Sequence, residues 1–258
     1  MVSTKQVILI TGANAGIGYD TAALLAASSS NNHVIIGARN VAKGEKALAE
    51  IQARKPQGTL SFLQIDVTDD DSIAAAAKKV EADFGCIDVL INNAGISGTQ
   101  GMAGTTASPT RENLRAVFET NVYGPTLVTE AVLPLLKASK SPKVINVSSG
   151  LGSITMRSDP NDPTYSVSFD VYRMSKSALN MLSACHSASF KKFGAKVWAY
   201  CPGFVVTNLT GEEDRQNRVN MGAESSETSA QGILEILEGK RDSEAGGFVT
   251  RYGKAYPW

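Results

Sequence analysis

The chain predicts an α/β fold: a single-domain, Rossmann-type doubly wound parallel sheet of about seven strands with helices on both faces. Short apolar, β-branched runs recur along the 258 residues and alternate with longer segments that carry apolar residues at helical spacing. The first run, Val7-Ile8-Leu9-Ile10, breaks into a glycine turn and then a helical pattern. The strand-like runs are continuously apolar, as strands covered on both faces require.

In chain order, strands are expected at 7–10, 34–38, 60–65, 89–92, 144–147, 197–201 and 248–250. Between most of them lie helical segments at 19–27, 43–54, 72–84, 111–138, 172–193 and 226–238, with polar residues between the apolar ones. Right-handed crossovers then place ligands outside the carboxyl ends of the strands. No repeat or linker interrupts the pattern, so residues 1–258 read as one domain.

Lys and Arg number 25, as do Asp and Glu, and no basic run stands out. This argues against nucleic acid or a membrane surface as partner and points to small molecules. The chain enters its first strand within a few residues, and no apolar run reaches membrane-spanning length, so a soluble cytoplasmic protein is expected. Cys86, Cys185 and Cys201 are odd in number and widely spaced, which suggests neither a disulfide framework nor a zinc site. They are expected to be buried small hydrophobes. His33 and His186 are the only histidines; both read as structural, and no metal site is expected.

The glycine turn reads Thr11-Gly12-Ala13-Asn14-Ala15-Gly16-Ile17-Gly18. Between a strand and a helix, it would let backbone amides and the positive helix end approach a pyrophosphate. Its G-x-x-x-G-x-G spacing differs from the G-x-G-x-x-G dinucleotide pattern, and a turn without a ligand is the competing reading. At the end of the second strand stands Gly37-Ala38-Arg39-Asn40. An acid there would take the two ribose hydroxyls of NAD, whereas Arg39 suits a 2′-phosphate and favours NADP; a solvated surface arginine is the alternative. Asp66 ends the third strand, where it could accept from an adenine amino group or serve as a turn residue beside Thr68 and Asp69. Asn92-Asn93-Ala94-Gly95 closes the fourth with a run suited to close backbone approach.

Taken together, these residues resemble the short-chain dehydrogenases and reductases. The matches are Thr11-Gly12-x-x-x-Gly16-Ile17-Gly18, Asp66-Val67, Asn92-Asn93-Ala94-Gly95, Asn121, Val147-Ser148-Ser149, Tyr172-x-x-x-Lys176, and Pro202-Gly203 followed by Thr207. They occur in the family's order and span most of the chain. The resemblance implies cofactor contacts from Gly12, Asn14, Gly16, Ile17, Gly18, Arg39, Asp66, Val67, Asn93, Ala94, Gly95, Tyr172, Lys176, Pro202, Gly203, Val205 and Thr207. It assigns catalysis to Asn121, Ser149, Tyr172 and Lys176, with Ser148 backing the strand end. Asn121 would free a backbone carbonyl to hold a water against the lysine; a helix kink caused by Pro125 is compatible with that role.

Residue types alone support the chemistry. Tyr172 and Lys176 lie one turn apart on a helix face. Bringing a tyrosine from ~10 to neutrality takes about 4 kcal/mol in favour of phenolate. An ammonium ~4 Å away at an effective dielectric of ~20 supplies that amount. The expected activity is NADPH-dependent reduction of a ketone or aldehyde, with Tyr172 as proton donor. The alternatives are an NADP-dependent alcohol dehydrogenase acting mainly in oxidation and a non-catalytic NADP(H) sensor.

Residues 206–225 are polar with little periodicity and read as a mobile lid over a pocket that Met102, Leu151 and Phe204 would make apolar. Ser149 and Tyr172 stand farther apart than is usual in the family, and the insertion at 153–170 contains Ser158-Asp159-Pro160-Asn161-Asp162-Pro163, an irregular loop. Its acids Asp159, Asp162 and Asp170 would need desolvation between subunits, so a monomer or homodimer is expected over a homotetramer.

Overall fold

Side chains of the first strand, β1 (Gln6–Thr11), enter two cores in turn: Val7 and Leu9 on one face of the sheet, Ile8 and Ile10 on the other. The computed structural model describes residues 5–98 and 109–258. Its other strands are β2 (Asn32–Ala38), β3 (Thr59–Gln64), β4 (Val89–Asn92), β5 (Lys143–Val147), β6 (Lys196–Cys201) and β7 (Phe248–Thr250). They form one parallel sheet in the order β3-β2-β1-β4-β5-β6-β7. The order reverses between β1 and β4, the position at which such sheets open a crevice at their carboxyl ends.

Helices α1 (Gly16–Ser28), α2 (Val41–Ala53) and α3 (Asp70–Phe84) follow the first three strands. After β4 come α4 (Arg111–Phe118), α5 (Gly124–Ala131) and α6 (Leu133–Lys137), and after β5 come α7 (Ile154–Ser158) and α8 (Asp170–Phe190). α9 (Arg215–Asn220) and α10 (Ser226–Leu237) lie between β6 and β7. One core joins the sheet to Ile73 and Val80 of α3, Val128 of α5, Leu136 of α6 and Phe190 of α8. The opposite core joins it to Leu25 of α1, Ile51 of α2 and Ile233 and Ile236 of α10. Helices thus cover both faces, which is why the strands carry apolar residues without alternation.

The helical run 111–138 is broken at Asn121, where Pro125 was expected to kink it. Glu119–Tyr123 forms a π turn between α4 and α5. Pro125 supplies the reason, because it has no N–H to donate to the Asn121 carbonyl four residues back. The helix expected to begin at Tyr19 instead begins at Gly16, so Gly16 and Gly18 lie in its first turn. The segment 206–225 contains α9 and is tied back through a Val205–Glu224 bridge. Cys86 and Cys201 are buried but Cys185 is exposed, because it stands on the outward face of α8. Among the described residues, no helix is long and apolar enough to cross a membrane.

Candidate active site

Two loops at the crevice are held together by Asn93. Its backbone N–H donates to Thr11 Oγ1 at 3.0 Å, and its Nδ2 donates to the carbonyls of Thr11 at 2.9 Å and Gly12 at 3.2 Å. Ala94 N donates to the same Thr11 hydroxyl at 3.1 Å. These bonds draw the end of β4 against the glycine turn, so that a Cβ at Gly12 would lie 2.9 Å from Ala94 Cα and one at Gly18 would lie 2.5 Å from Asn93 Nδ2. Gly12 also has φ +65°, a conformation that side chains disfavour.

The amino end of α1 fits a phosphate group. Ala15 at its N-cap offers no capping side chain, and its first turn holds no acid. Backbone donors and the positive helix end therefore face the turn without internal compensation. Thr207 comes from the far side of the site: its Cγ2 lies 3.3 Å from where a Gly16 Cβ would be. Arg39 is exposed just past the end of β2, one strand from the turn, where Thr11 pairs with Gly37.

Asp66 is half-buried, and its Oδ1 accepts from Thr68 N at 3.0 Å and Thr68 Oγ1 at 2.8 Å. The turn role considered for it is therefore real, and Asp69 separately caps α3 by accepting from Ser72 N. Val67 packs against Gly124. Asn14 and Ile17 are half-buried at the turn, and Pro202 is fixed through its carbonyl, which accepts from Ser229 Oγ at 2.8 Å.

Beyond Gly95 the glycine-turn crevice meets the catalytic candidates. A Cβ at Gly95 would lie 3.3 Å from Asn121 Oδ1 and 3.6 Å from Lys176 Nζ. Asn121 is fully buried in the π turn; Oδ1 accepts from Ile96 N at 2.9 Å, and Nδ2 donates to Ile96 O at 2.8 Å and Ser175 Oγ at 3.0 Å. The same hydroxyl of Ser175 donates to the Tyr172 carbonyl at 2.7 Å, which links the π turn to α8. Ser148 is buried and donates to Asn180 Oδ1 at 2.5 Å, and Ser149 Oγ accepts from Leu151 N at 3.2 Å.

Burial raises the pKa of Tyr172 above the ordinary tyrosine value, and the Ser149 hydroxyl beside it favours the phenolate without overcoming that effect. Lys176 is buried as well, and its pKa is lowered to about 8. The strong lowering of Tyr172 by its neighbouring ammonium, argued from the i to i+4 spacing, is therefore not what the geometry gives. Lys176 Nζ is turned onto the Val147 carbonyl at 2.8 Å and stands 5.5 Å from the Tyr172 ring centroid, and the low dielectric that strengthens the attraction also penalises both ions.

A family model for short chain dehydrogenases matches residues 6–218, covering both loops and the whole of α8. The chain belongs to the short-chain dehydrogenase family. Short-chain dehydrogenase anuI of Penicillium roqueforti (strain FM164) is 41% identical over 236 residues, 90% of this chain and 88% of the relative. Short-chain dehydrogenase/reductase eupG of a Phoma species is 34% identical over 274 residues, 98% of each chain. NADPH-bound carbonyl reductase from chicken fatty liver has a similar structure, with a TM-score of 0.79 at 29% identity and 100% of both chains covered. This short-chain dehydrogenase is accordingly an oxidoreductase, and its family and that neighbour support a nicotinamide cofactor.

Arg173, beside the tyrosine, was not singled out by sequence reasoning. It is buried, and its guanidinium donates only to backbone carbonyls: Nε to Val167 at 3.0 Å and Ser168 at 3.2 Å, Nη1 to Leu151 at 3.2 Å, and Nη2 to Thr164 and Val167. It binds the insertion and the loop after Ser149 to the start of α8. The available signal was the ionisable and polar series 173, 176, 180, 183, which follows one helical face, all of it buried. Cys201 adds a second tie, its Sγ accepting from Gly150 N at 3.1 Å. Of the expected pocket residues, Leu151 is half-buried and Phe204 is 43% exposed, while Met102 lies outside the described residues.

Proposed function

We propose that this short-chain dehydrogenase is an NADPH-dependent reductase that transfers hydride to a ketone or aldehyde carbonyl. The observation that carries this reading is the placing of the half-buried Ser149 beside the buried Tyr172 and Lys176 at the carboxyl end of the sheet. NADPH, when bound, supplies the hydride. Ser149 holds the carbonyl oxygen and stabilises the charge it gains, while Tyr172 donates the proton to that oxygen. Tyr172 is protonated at neutral pH, as a proton donor must be. Lys176 contributes positive charge as the proton leaves Tyr172 and would hold the cofactor ribose.

Around this chemistry, Gly12, Asn14, Gly16, Ile17, Gly18, Asn93, Ala94 and Gly95 would hold the pyrophosphate and nearby ribose. Asp66 and Val67 would hold the adenine, and Pro202, Gly203, Val205 and Thr207 the nicotinamide side. Arg39 would take the 2′-phosphate. Asn121 would lend its π-turn carbonyl to a water beside Lys176. Residues 206–225 would cover the substrate, and the 153–170 insertion would border its entrance while keeping the protein a monomer or homodimer. Light scattering at micromolar concentration checks the last point, and a mass of four chains contradicts it.

Consumption of NADPH over a panel of ketones and aldehydes, with NADH in parallel, tests the function. Turnover with at least one carbonyl and a clear NADPH preference are expected. Cofactor binding without turnover would instead match a sensor, and an NADH preference would refute the role given to Arg39.

A further inference from the structure

Close to the catalytic pair lies a cation with no acid in direct ion-pair contact, Asp214 acting on it only from farther off. Arg218 of α9 donates to the Val205 carbonyl through Nε at 3.2 Å and Nη2 at 2.7 Å, and Nη1 reaches Thr210 Oγ1 only at 3.5 Å. Its guanidinium carbon lies 4.8 Å from the centroid of the Phe204 ring. Asp214, one turn earlier, spends Oδ2 on Thr210 and Oδ1 on Asn217. Among the described residues, no carboxylate comes within ion-pair distance of Arg218.

The position of this charge relates it to the reacting end of the site. Phe204 and Val205 follow Pro202-Gly203 at the carboxyl end of β6, and the guanidinium is near enough to Tyr172 to favour its phenolate. Four strand spacings separate β2, with Arg39, from β6, about 19 Å. Arg218 is therefore remote from the place where a 2′-phosphate would sit. An anchor for one carbonyl needs only a neutral donor, whereas a partly buried cation without a direct ion pair costs stability. With one edge on Val205 and one face on Phe204, its outer edge retains donors in the geometry that receives a planar oxyanion.

We propose that Arg218 recognises an anionic oxygen of the carbonyl substrate, a carboxylate or an ionised phenol, while Phe204 stacks on the substrate's apolar body. The inference rests on the reductase reading and names its substrate class: aryl or alkyl carbonyl compounds that carry an acidic group.

The test uses acetylbenzoates with the carboxylate ortho, meta or para to the ketone, each against its methyl ester, with NADPH affinity measured alongside. Wild type should prefer at least one acid to its ester. Arg218→Gln should lower kcat/KM for that acid about 30-fold, mainly through KM, and change the ester less than about threefold. Arg218→Lys should keep part of the preference, and both variants should bind NADPH as wild type does. No acid preference in wild type, an equal loss on acid and ester, or a matching loss of NADPH affinity overturns the inference and leaves the reductase reading intact. Failure of wild type to reduce any acid or ester while it turns over another carbonyl of the panel overturns the inference alone, and failure on the whole panel overturns the reductase reading and the inference with it.

Discussion

Lys176 Nζ donates to the Val147 carbonyl at 2.8 Å, which holds the ammonium on the strand end 5.5 Å from the centroid of the Tyr172 ring. Burial brings this lysine down to about 8, while Tyr172 is raised and stays protonated. Below that value Lys176 is charged; above it the charge is lost. The rate of carbonyl reduction should therefore fall as pH rises through about 8, and Lys176→Met should remove that limb along with most activity. A limb at the ordinary lysine value of ~10.4 would contradict this assignment.

Arg173 is expected to act as a positioning residue. Replacing it with Met leaves the carbonyls of Leu151, Val167 and Ser168 without its guanidinium, while Thr164 keeps a bond from Val167 N, at a cost of about 2–4 kcal/mol in urea unfolding. Because the Leu151 carbonyl belongs to the loop after Ser149, kcat should fall about 10-fold or more at unchanged NADPH affinity, with partial recovery in Arg173→Lys. A loss of stability with normal kcat in the folded fraction would show a purely structural role.

Cofactor choice is expected to turn on Arg39. Arg39→Asp should shift the NADPH to NADH ratio of kcat/KM by about 100-fold toward NADH, since an acid accepts from ribose hydroxyls and repels the 2′-phosphate. An unchanged ratio would place the phosphate elsewhere.

His186 provides a stability test away from the site. Its ring is buried against Phe190 at 4.6 Å between centroids, and burial pushes its pKa down to about 4 from 6.5. The unfolded chain takes up a proton that the folded chain refuses, so this contribution is complete above pH 6.5 and is lost as pH falls toward 4. His186→Phe should flatten the decline of Tm over that window. An equally steep decline in the variant would assign it to other groups.

What was legible in the sequence follows from where the physics is local. Val7 to Ile10 and Val144 to Val147 declare themselves as strands because both their faces are buried, and Tyr172 and Lys176 declare a shared helix face by spacing. Spacing does not say where a long side chain ends, and Lys176 turns to Val147. The break at Asn121 was legible from Pro125, but its π form was not, because one extra residue per turn barely disturbs apolar periodicity. Arg173 and Arg218 were hidden because their partners are backbone carbonyls, which leave no trace in residue identity.

The central claim is that Tyr172 delivers the proton, and turnover of Tyr172→Phe measured beside its NADPH affinity tests it most directly. Affinity within about twofold of wild type and a loss of kcat of about 1,000-fold are expected, since only the hydroxyl is removed. Near-wild-type turnover in a variant that binds NADPH normally would contradict the proton-donor role.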